Sequence, residues 1–249
     1  MIPNPIRKVL SSMRAHRVRA LLMGGQACVF YGAAEFSRDT DFAILADSVN
    51  MSRLRLALGD LQATVIAVPP FALKHLRRGH AVHFRCQHPK AWRMRVDVMS
   101  KMRGVESFPK LWRRRTSLEL PDGTQCDLLS LPDLVQAKKT QRNKDWPMIQ
   151  RLVEAHYFQH RPRPTRPQLS FWLCELRTPE LLIEVARSNA TLCHRLARRR
   201  PLLAVAAIGA VEELEQALRD EETAERQRDK LHWLPLRREL EKWRHARLK

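Results

Sequence analysis

Pro162, Pro164 and Pro167, interleaved with Arg161, Arg163 and Arg166, divide this chain into two halves of different patterning. Proline fixes φ and lacks an amide donor, so no helix can run through such a stretch. Residues 159–167 are therefore predicted to form a stiff basic linker. Before it, short apolar runs punctuated by Gly and Pro alternate with short helical patterns. After it, residues 168–249 carry only helical spacing. The expectation is an α+β domain over 1–158 followed by an all-α region over 168–249.

Within the first half, Ile6, Val9, Leu10 and Met13 fall at helical spacing over residues 5–17. Residues 19–23 are a buried-strand pattern stopped by Gly24-Gly25, and 26–31 a short helix closed by Gly32. Further strands are predicted at 40–45, 63–68, 81–85 and 94–99, with helices at 51–61 and 71–78. Pro121-Asp122-Gly123 marks a hairpin turn. Ser130 is placed to cap a helix whose first turn holds Asp133. In the second half, helices are expected from residue 169, over 179–196, over 202–218, and along a charged stretch to the end.

Lys and Arg number 45 against 26 Asp and Glu, a formal net charge of +19. A field of that sign attracts polyanions, although an arginine-rich genome would produce the same bias on ordinary surfaces. Aromatic residues make up only 6% of the chain, which argues against a base-stacking platform. No run of about 18 apolar residues is present, so no transmembrane helix is expected. The N-terminal residues do not read as a signal peptide. Five scattered cysteines without a C-x-x-C pair fit a reduced, cytoplasmic chain.

The chemistry is concentrated in one ordered set: Gly24-Gly25, then Asp39-Thr40-Asp41, then Asp97 in a later strand. Residues two apart in a strand project on one face, so Asp39 and Asp41 point together. Two like charges held that close repel, and a divalent cation between them removes the repulsion. Mg²⁺ prefers hard oxygen ligands and shares them with substrate phosphates. Asp97, on the face opposite Val96 and Val98, would complete a site for metal ions that activate a hydroxyl and bind a triphosphate. Gly24 and Gly25 let backbone amides approach closely, as a phosphate cradle requires.

Gly24-Gly25-Gln26-Ala27, Tyr31-Gly32, Ser37 and Asp39-Thr40-Asp41-Phe42 resemble the signature of the polymerase-β-like nucleotidyltransferase superfamily, most of all the branch of AbiEii- and MenT-type toxin nucleotidyltransferases. The segment from Leu131-Pro132-Asp133 through Lys138 and Arg142 to Asp145 is similar to a helix in those relatives, and the likeness spans about residues 15–155. It implies a nucleotidyltransferase-type mixed sheet flanked by helices and transfer of a nucleoside monophosphate from an NTP to a hydroxyl. In the toxin branch that hydroxyl is commonly the 3′ end of tRNA. By the same resemblance Asp39, Asp41 and Asp97 ligate Mg²⁺, Lys138 contacts the nucleotide phosphates, and Asp145 lines the rear wall. Ser37, Arg38 and Arg142 belong to the nucleotide site, with Gln26 hydrogen-bonding phosphate. A toxin or defence role, with a neutralising antitoxin or other protein partner, comes with the likeness.

The chain departs from the pattern in two places. Gln26 stands where the superfamily usually has Ser, and Glu35 where an Arg often precedes the carboxylate pair. Two alternatives thus stand beside the RNA-directed enzyme: an antibiotic-type small-molecule nucleotidyltransferase, and a catalytically inactive nucleic-acid-binding module of the same fold. The first would favour an acidic pocket for a cationic acceptor, against the sign of this chain.

The remaining features have plainer readings. Lys138, Arg142 and Asp145 fall at helical spacing and would share one helix face. His80, His83, Cys86 and His88 hint at zinc, but on a strand they fall on different faces. Arg113-Arg114-Arg115 and Arg198-Arg199-Arg200 are either phosphate contacts or solvated charge. Trp92 and Trp112 read as packing residues and Cys126 as structural. The mixed-sign stretch 212–228 reads as an exposed helix or a partner-binding one.

Overall fold

Alternating apolar runs become strands wherever a turn lets them pair. In the computed structural model, which describes residues 4–120 and 123–247, seven strands form one mixed sheet. They are β1 (Ala20–Met23), β2 (Asp39–Ile44), β3 (Thr64–Val65), β4 (Val82–Arg85), β5 (Arg95–Met99), β6 (Thr116–Glu119) and β7 (Gln125–Leu128), in the order β3-β4-β5-β2-β1-β7-β6. The pairs β1·β2, β3·β4, β4·β5 and β6·β7 are antiparallel, while β2·β5 and β1·β7 are parallel. The hairpin of β6 and β7 is in place, but Pro121 and Asp122 of its expected turn lie outside the described residues, as do Met1, Ile2 and Pro3.

Helices α1 (Asn4–Ala15), α2 (Gly24–Phe30), α3 (Ser48–Asp60), α4 (Leu73–Arg78), α5 (Phe108–Arg113) and α6 (Leu131–Ala137) accompany the strands. The stripe Ile6, Val9, Leu10 and Met13 of α1 is buried, as its spacing requires. Asp47 caps α3 by accepting from the Asn50 amide at 2.7 Å. The buried Asn50 side chain then donates to the carbonyls of Arg19 and Leu45 and accepts from the Arg19 amide. It therefore pins α3 to the start of β1 and the end of β2. β3 is shorter than its pattern suggested, because its two residues sit exposed at the sheet edge and Pro69-Pro70 follow.

The chain divides into two compact units. One comprises Met1–Phe30, Ala34–Ala137 and His232–Lys249; the other comprises Tyr31–Ala33 and Lys138–Leu231. The second is helical: α7 (Asp145–His160), α8 (Arg166–Glu175), α9 (Pro179–Ser188), α10 (Ala190–Ala197), α11 (Leu203–Ile208) and most of α12 (Val211–Arg247). The fold is thus α+β with an all-α C-terminal region. The proline-arginine stretch is less of an interruption than expected. α7 continues to His160, and Pro167 sits in the first turn of α8, where a missing amide donor is no loss. Only residues 161–165 are non-helical. Gly209, at φ 80°, separates α11 from α12, which the spacing had merged into one helix. Among the described residues no helix is long and apolar enough to cross a membrane.

Inside the second unit, Arg200 is buried and donates to the carbonyls of Leu173 and Leu176 and to Glu221. Arg177 joins it on Glu221. Arg114, in the first unit, makes a two-pronged bond to the buried Asp133, at 2.6 Å for both prongs. Arg115 bonds Asp127 and lies 4.3 Å over the Trp112 ring. In each arginine run, structural bonds hold part of the charge, and Arg113, Arg198 and Arg199 remain exposed.

Candidate active site

β2 and β5 run parallel and in register, with Asp41 opposite Asp97 and Asp39 opposite Arg95. Neighbours across a ladder share a face, and so do residues two apart along a strand. Asp39, Asp41, Arg95 and Asp97 therefore stand on one face, while Thr40, Phe42, Val96 and Val98 are buried on the other. The row extends on both sides, because β1 sets Met23 beside Asp41 and β4 sets His83 beside Asp97. The three expected carboxylates thus stand on one face of two adjacent central strands.

Gly24 is required where it stands. Its φ is +68°, and a Cβ built on it would lie 1.9 Å from Oδ2 of Asp41. A Cβ on Gly25 would lie 2.7 Å from Oγ of Ser37. The glycine pair thus admits two side chains of the expected site against the backbone at the start of α2. Ser37 Oγ donates to the Asp39 carbonyl at 3.0 Å, which ties the preceding loop to the first carboxylate. Arg38 and Glu35 are exposed.

Asp97 is the most constrained carboxylate. Its Oδ1 accepts from Nε of Arg95 at 2.8 Å and lies 2.9 Å from Nδ1 of His83. Burial pushes its carboxyl pKa up, but the bonds from His83 and Arg95 and their charges more than offset this, so the net value lies below the usual aspartate range. Arg95 is held protonated first by its bond to Asp97, and the charges of Asp39 and Asp41 add to that. One guanidinium therefore sits in the field of all three carboxylates. Among the described residues, no three His, Cys, Asp or Glu side chains converge as a preformed metal site. The donor set still suits Mg²⁺ in kind, since Asp39, Asp41 and Asp97 are hard carboxylate oxygens on one face. In this arrangement Arg95 supplies the positive charge that a metal would supply.

Three expectations need correction. Gln26, expected to reach phosphate, is 1% exposed, and its Oε1 is buried without a hydrogen-bond partner, so its amide is not presented to a ligand. Lys138, Arg142 and Asp145 do not share a helix face, because α6 stops at Ala137 and α7 starts at Asp145. They still meet, in the second unit, through the intervening turn. Lys138 Nζ lies 3.1 Å from Asp145 Oδ1, while Arg142 Nε and Thr140 Oγ1 donate to Oδ2. Lys138 is itself buried in this ion pair rather than standing free for a phosphate. Burial raises the Asp145 pKa, and the charge of Lys138 with the bond from Thr140 outweighs that and lowers it overall.

His83 and Arg95 were missed as site residues. Arg95, two before Asp97, was legible by strand alternation; His83 required the register of β4 on β5. The other members of the histidine-cysteine cluster have partners of their own: His80 bonds Glu239, and His88 accepts from the Lys90 amide. Burial pushes the Cys86 thiol up to about 11 and Cys126 up to about 12, so neither is an activated nucleophile. No protein-family model matches this chain, and no curated protein sequence matches it.

Proposed function

We propose that this chain is a Mg²⁺-dependent nucleotidyltransferase that moves a nucleoside monophosphate from an NTP to a hydroxyl of RNA, at the 3′ end of tRNA by preference. The observation that carries the proposal is the in-register placement of Asp41 and Asp97 on adjacent parallel strands, with Asp39 on the same face. Asp39 and Asp41 would hold the metal, and Asp97 would complete its site. Bound there, Mg²⁺ would polarise the attacking hydroxyl and offset triphosphate charge. In the transfer, the hydroxyl oxygen bonds to the α-phosphorus, the bond from that phosphorus to the bridging oxygen breaks, pyrophosphate leaves and the proton passes to water. Gly24 and Gly25 keep the backbone beside Asp41 and Ser37 free of side chains, and Arg38 flanks the carboxylates in sequence. Arg95 and His83 orient Asp97. Lys138 and Arg142, which the resemblance assigns to the nucleotide phosphates, are both held on Asp145. The net charge of +19 favours an RNA acceptor over a cationic small molecule. A cytoplasmic location, which rests on the scattered cysteines, and a toxin or defence role with a neutralising protein partner, which rests on the sequence resemblance, belong to the same proposal.

The test is incubation of the chain with total RNA, Mg²⁺ and each α-labelled NTP in turn. Label in a tRNA-sized band, absent from Asp39→Ala/Asp41→Ala, is the expected result and names the nucleotide. Absence of label with every NTP would sink the proposal. A catalytically inactive module is the second reading, favoured by the hold of Arg95 and His83 on Asp97 and by the burial of Gln26. Such a module binds RNA but shows no Mn²⁺ binding that depends on Asp39 and Asp41, which a titration followed by electron paramagnetic resonance reads directly.

A further inference from the structure

On the opposite face of the sheet from the carboxylates, and at the other end of β1, four arginines surround a cleft of about 370 Å³. Arg14 and Arg17 come from the end of α1 and the turn after it, Arg19 from the entry to β1, and Arg53 from α3, with Phe42 and Trp112 among the apolar lining. None of the four has a carboxylate partner among the described residues. The carboxylate in the lining, Asp127, is already bonded to Arg115. Among the described residues no carboxylate lies within ion-pair distance of these four arginines, although Asp127 lines the same cleft and Asp47 stands near Arg19 and Arg53 on its other side.

The rim is built rather than loose. The Asn50 side chain holds both the amide and the carbonyl of Arg19. Arg53 donates to the Arg17 carbonyl at 3.3 Å. Arg17 has φ +52° at the position just past α1, where glycine is the usual residue. An L-residue in that region costs about 1 kcal/mol or more relative to glycine, and the chain keeps arginine there. Hydrogen bonds from the amides of His16, Arg17 and Val18 satisfy the last carbonyls of α1, so the side chains set the sign of the cleft. Trp112 is stacked on Phe108 and covered by Arg115, which makes it a wall rather than a base-stacking surface. Guanidiniums outside any ion pair, contributed by three separate segments, with no platform for a base, suit a run of phosphates read without regard to sequence.

We propose that the cleft framed by Arg14, Arg17, Arg19 and Arg53 binds the phosphodiester backbone of RNA at a site separate from the carboxylates. It shares only the RNA with the proposed transfer activity, so binding is measured without NTP or metal, in Asp39→Ala/Asp41→Ala. A fluorescein-labelled single-stranded RNA is titrated across a salt series, followed by anisotropy. The slope of log affinity against log salt is about −0.7 per phosphate neutralised on a single strand. Four arginines account for a slope of about −3, or about 50-fold in affinity between about 50 and about 200 mM salt. Changing all four to Gln should remove that part of the slope and weaken binding at least about tenfold, with the circular-dichroism spectrum unchanged. Arg163, Arg195, Arg198 and Arg199, all exposed, changed together to Gln remove the same charge elsewhere and should leave most of the slope. Equal losses in the two variants would mean diffuse charge and overturn the proposal. So would ATP, pyrophosphate or poly-glutamate displacing the RNA at equal phosphate or carboxylate concentration, since each would mark a different ligand.

Discussion

Replacing Gly24 with Ala tests the candidate site and its local packing together. The backbone at Gly24 has φ +68°, where a residue bearing a Cβ costs about 1–2 kcal/mol. The new methyl would lie 1.9 Å from Oδ2, 2.6 Å from Cγ and 2.9 Å from Cβ of Asp41. The carboxylate can rotate away, but the Cβ belongs to a strand held on both sides by β1 and β5, so overpacking adds about 1–3 kcal/mol. The sum is a loss of about 2–5 kcal/mol, or a fall in Tm of about 4–20 °C for a chain of this size. Urea unfolding followed by circular dichroism measures it. The cycle with Asp41→Gly separates the two contributions, because that change removes all three close atoms and leaves only the φ cost. Gly24→Ala should then cost about 1–2 kcal/mol, giving a coupling of about 1–3 kcal/mol. A cost below about 1 kcal/mol in the parent chain, or the same cost in both backgrounds, would refute the placement of Asp41 over Gly24.

Other consequences follow from buried polar groups. Arg114→Ala strands a carboxylate, since the side chain of Asp133 is 9% exposed and keeps only the bond from Ser130. We expect a loss of about 2–3 kcal/mol in urea unfolding, less than for a fully buried pair because Arg114 is partly solvated. RNA affinity should stay within about threefold, in contrast to the cleft arginines, and a larger fall would place Arg114 on the RNA surface. His156 accepts a 2.9 Å bond at Nδ1 from the Trp172 indole, which can only donate, so the ring is neutral there. Burial, helped by the charge of His160, pushes its pKa down to about 4 from 6.5. The unfolded chain then takes up a proton between those values that the folded chain refuses. Its contribution is complete above about pH 6.5 and fades as pH falls toward 4, by about 2 kcal/mol once solvent screening of a half-buried group is allowed for. Unfolding of His156→Gln should lose that part of the pH dependence, and an unchanged profile would assign it to other groups.

Much of this was legible before any contact was known. The α1 stripe, the paired projection of Asp39 and Asp41, the strand of Asp97 and the cap of Ser130 on the helix of Asp133 each depend on a repeat or spacing within a few residues. The meeting of Lys138, Arg142 and Asp145 was also signalled, though for the wrong reason. A helix would have brought them together by its turn, whereas here a buried carboxylate gathers donors from a non-helical bend. Gln26 shows the opposite failure, since its place after two glycines reads as a ligand-facing position until packing buries it.

The sequence alone determined the local periods: which residues of a strand share a face, which side of α1 is apolar, where prolines and glycines end elements, and the large positive charge. The tertiary structure decided who stands opposite whom. Register set Asp97 beside Asp41 and brought His83 to Asp97; packing of α1 and α3 against the β-sheet gathered Arg14, Arg17, Arg19 and Arg53 around one cleft. The physical reason is range. Backbone geometry repeats over two to four residues and is written into neighbouring positions, while a pairing between strands or segments tens of residues apart is set by the joint packing of the whole unit, which no single stretch of sequence encodes.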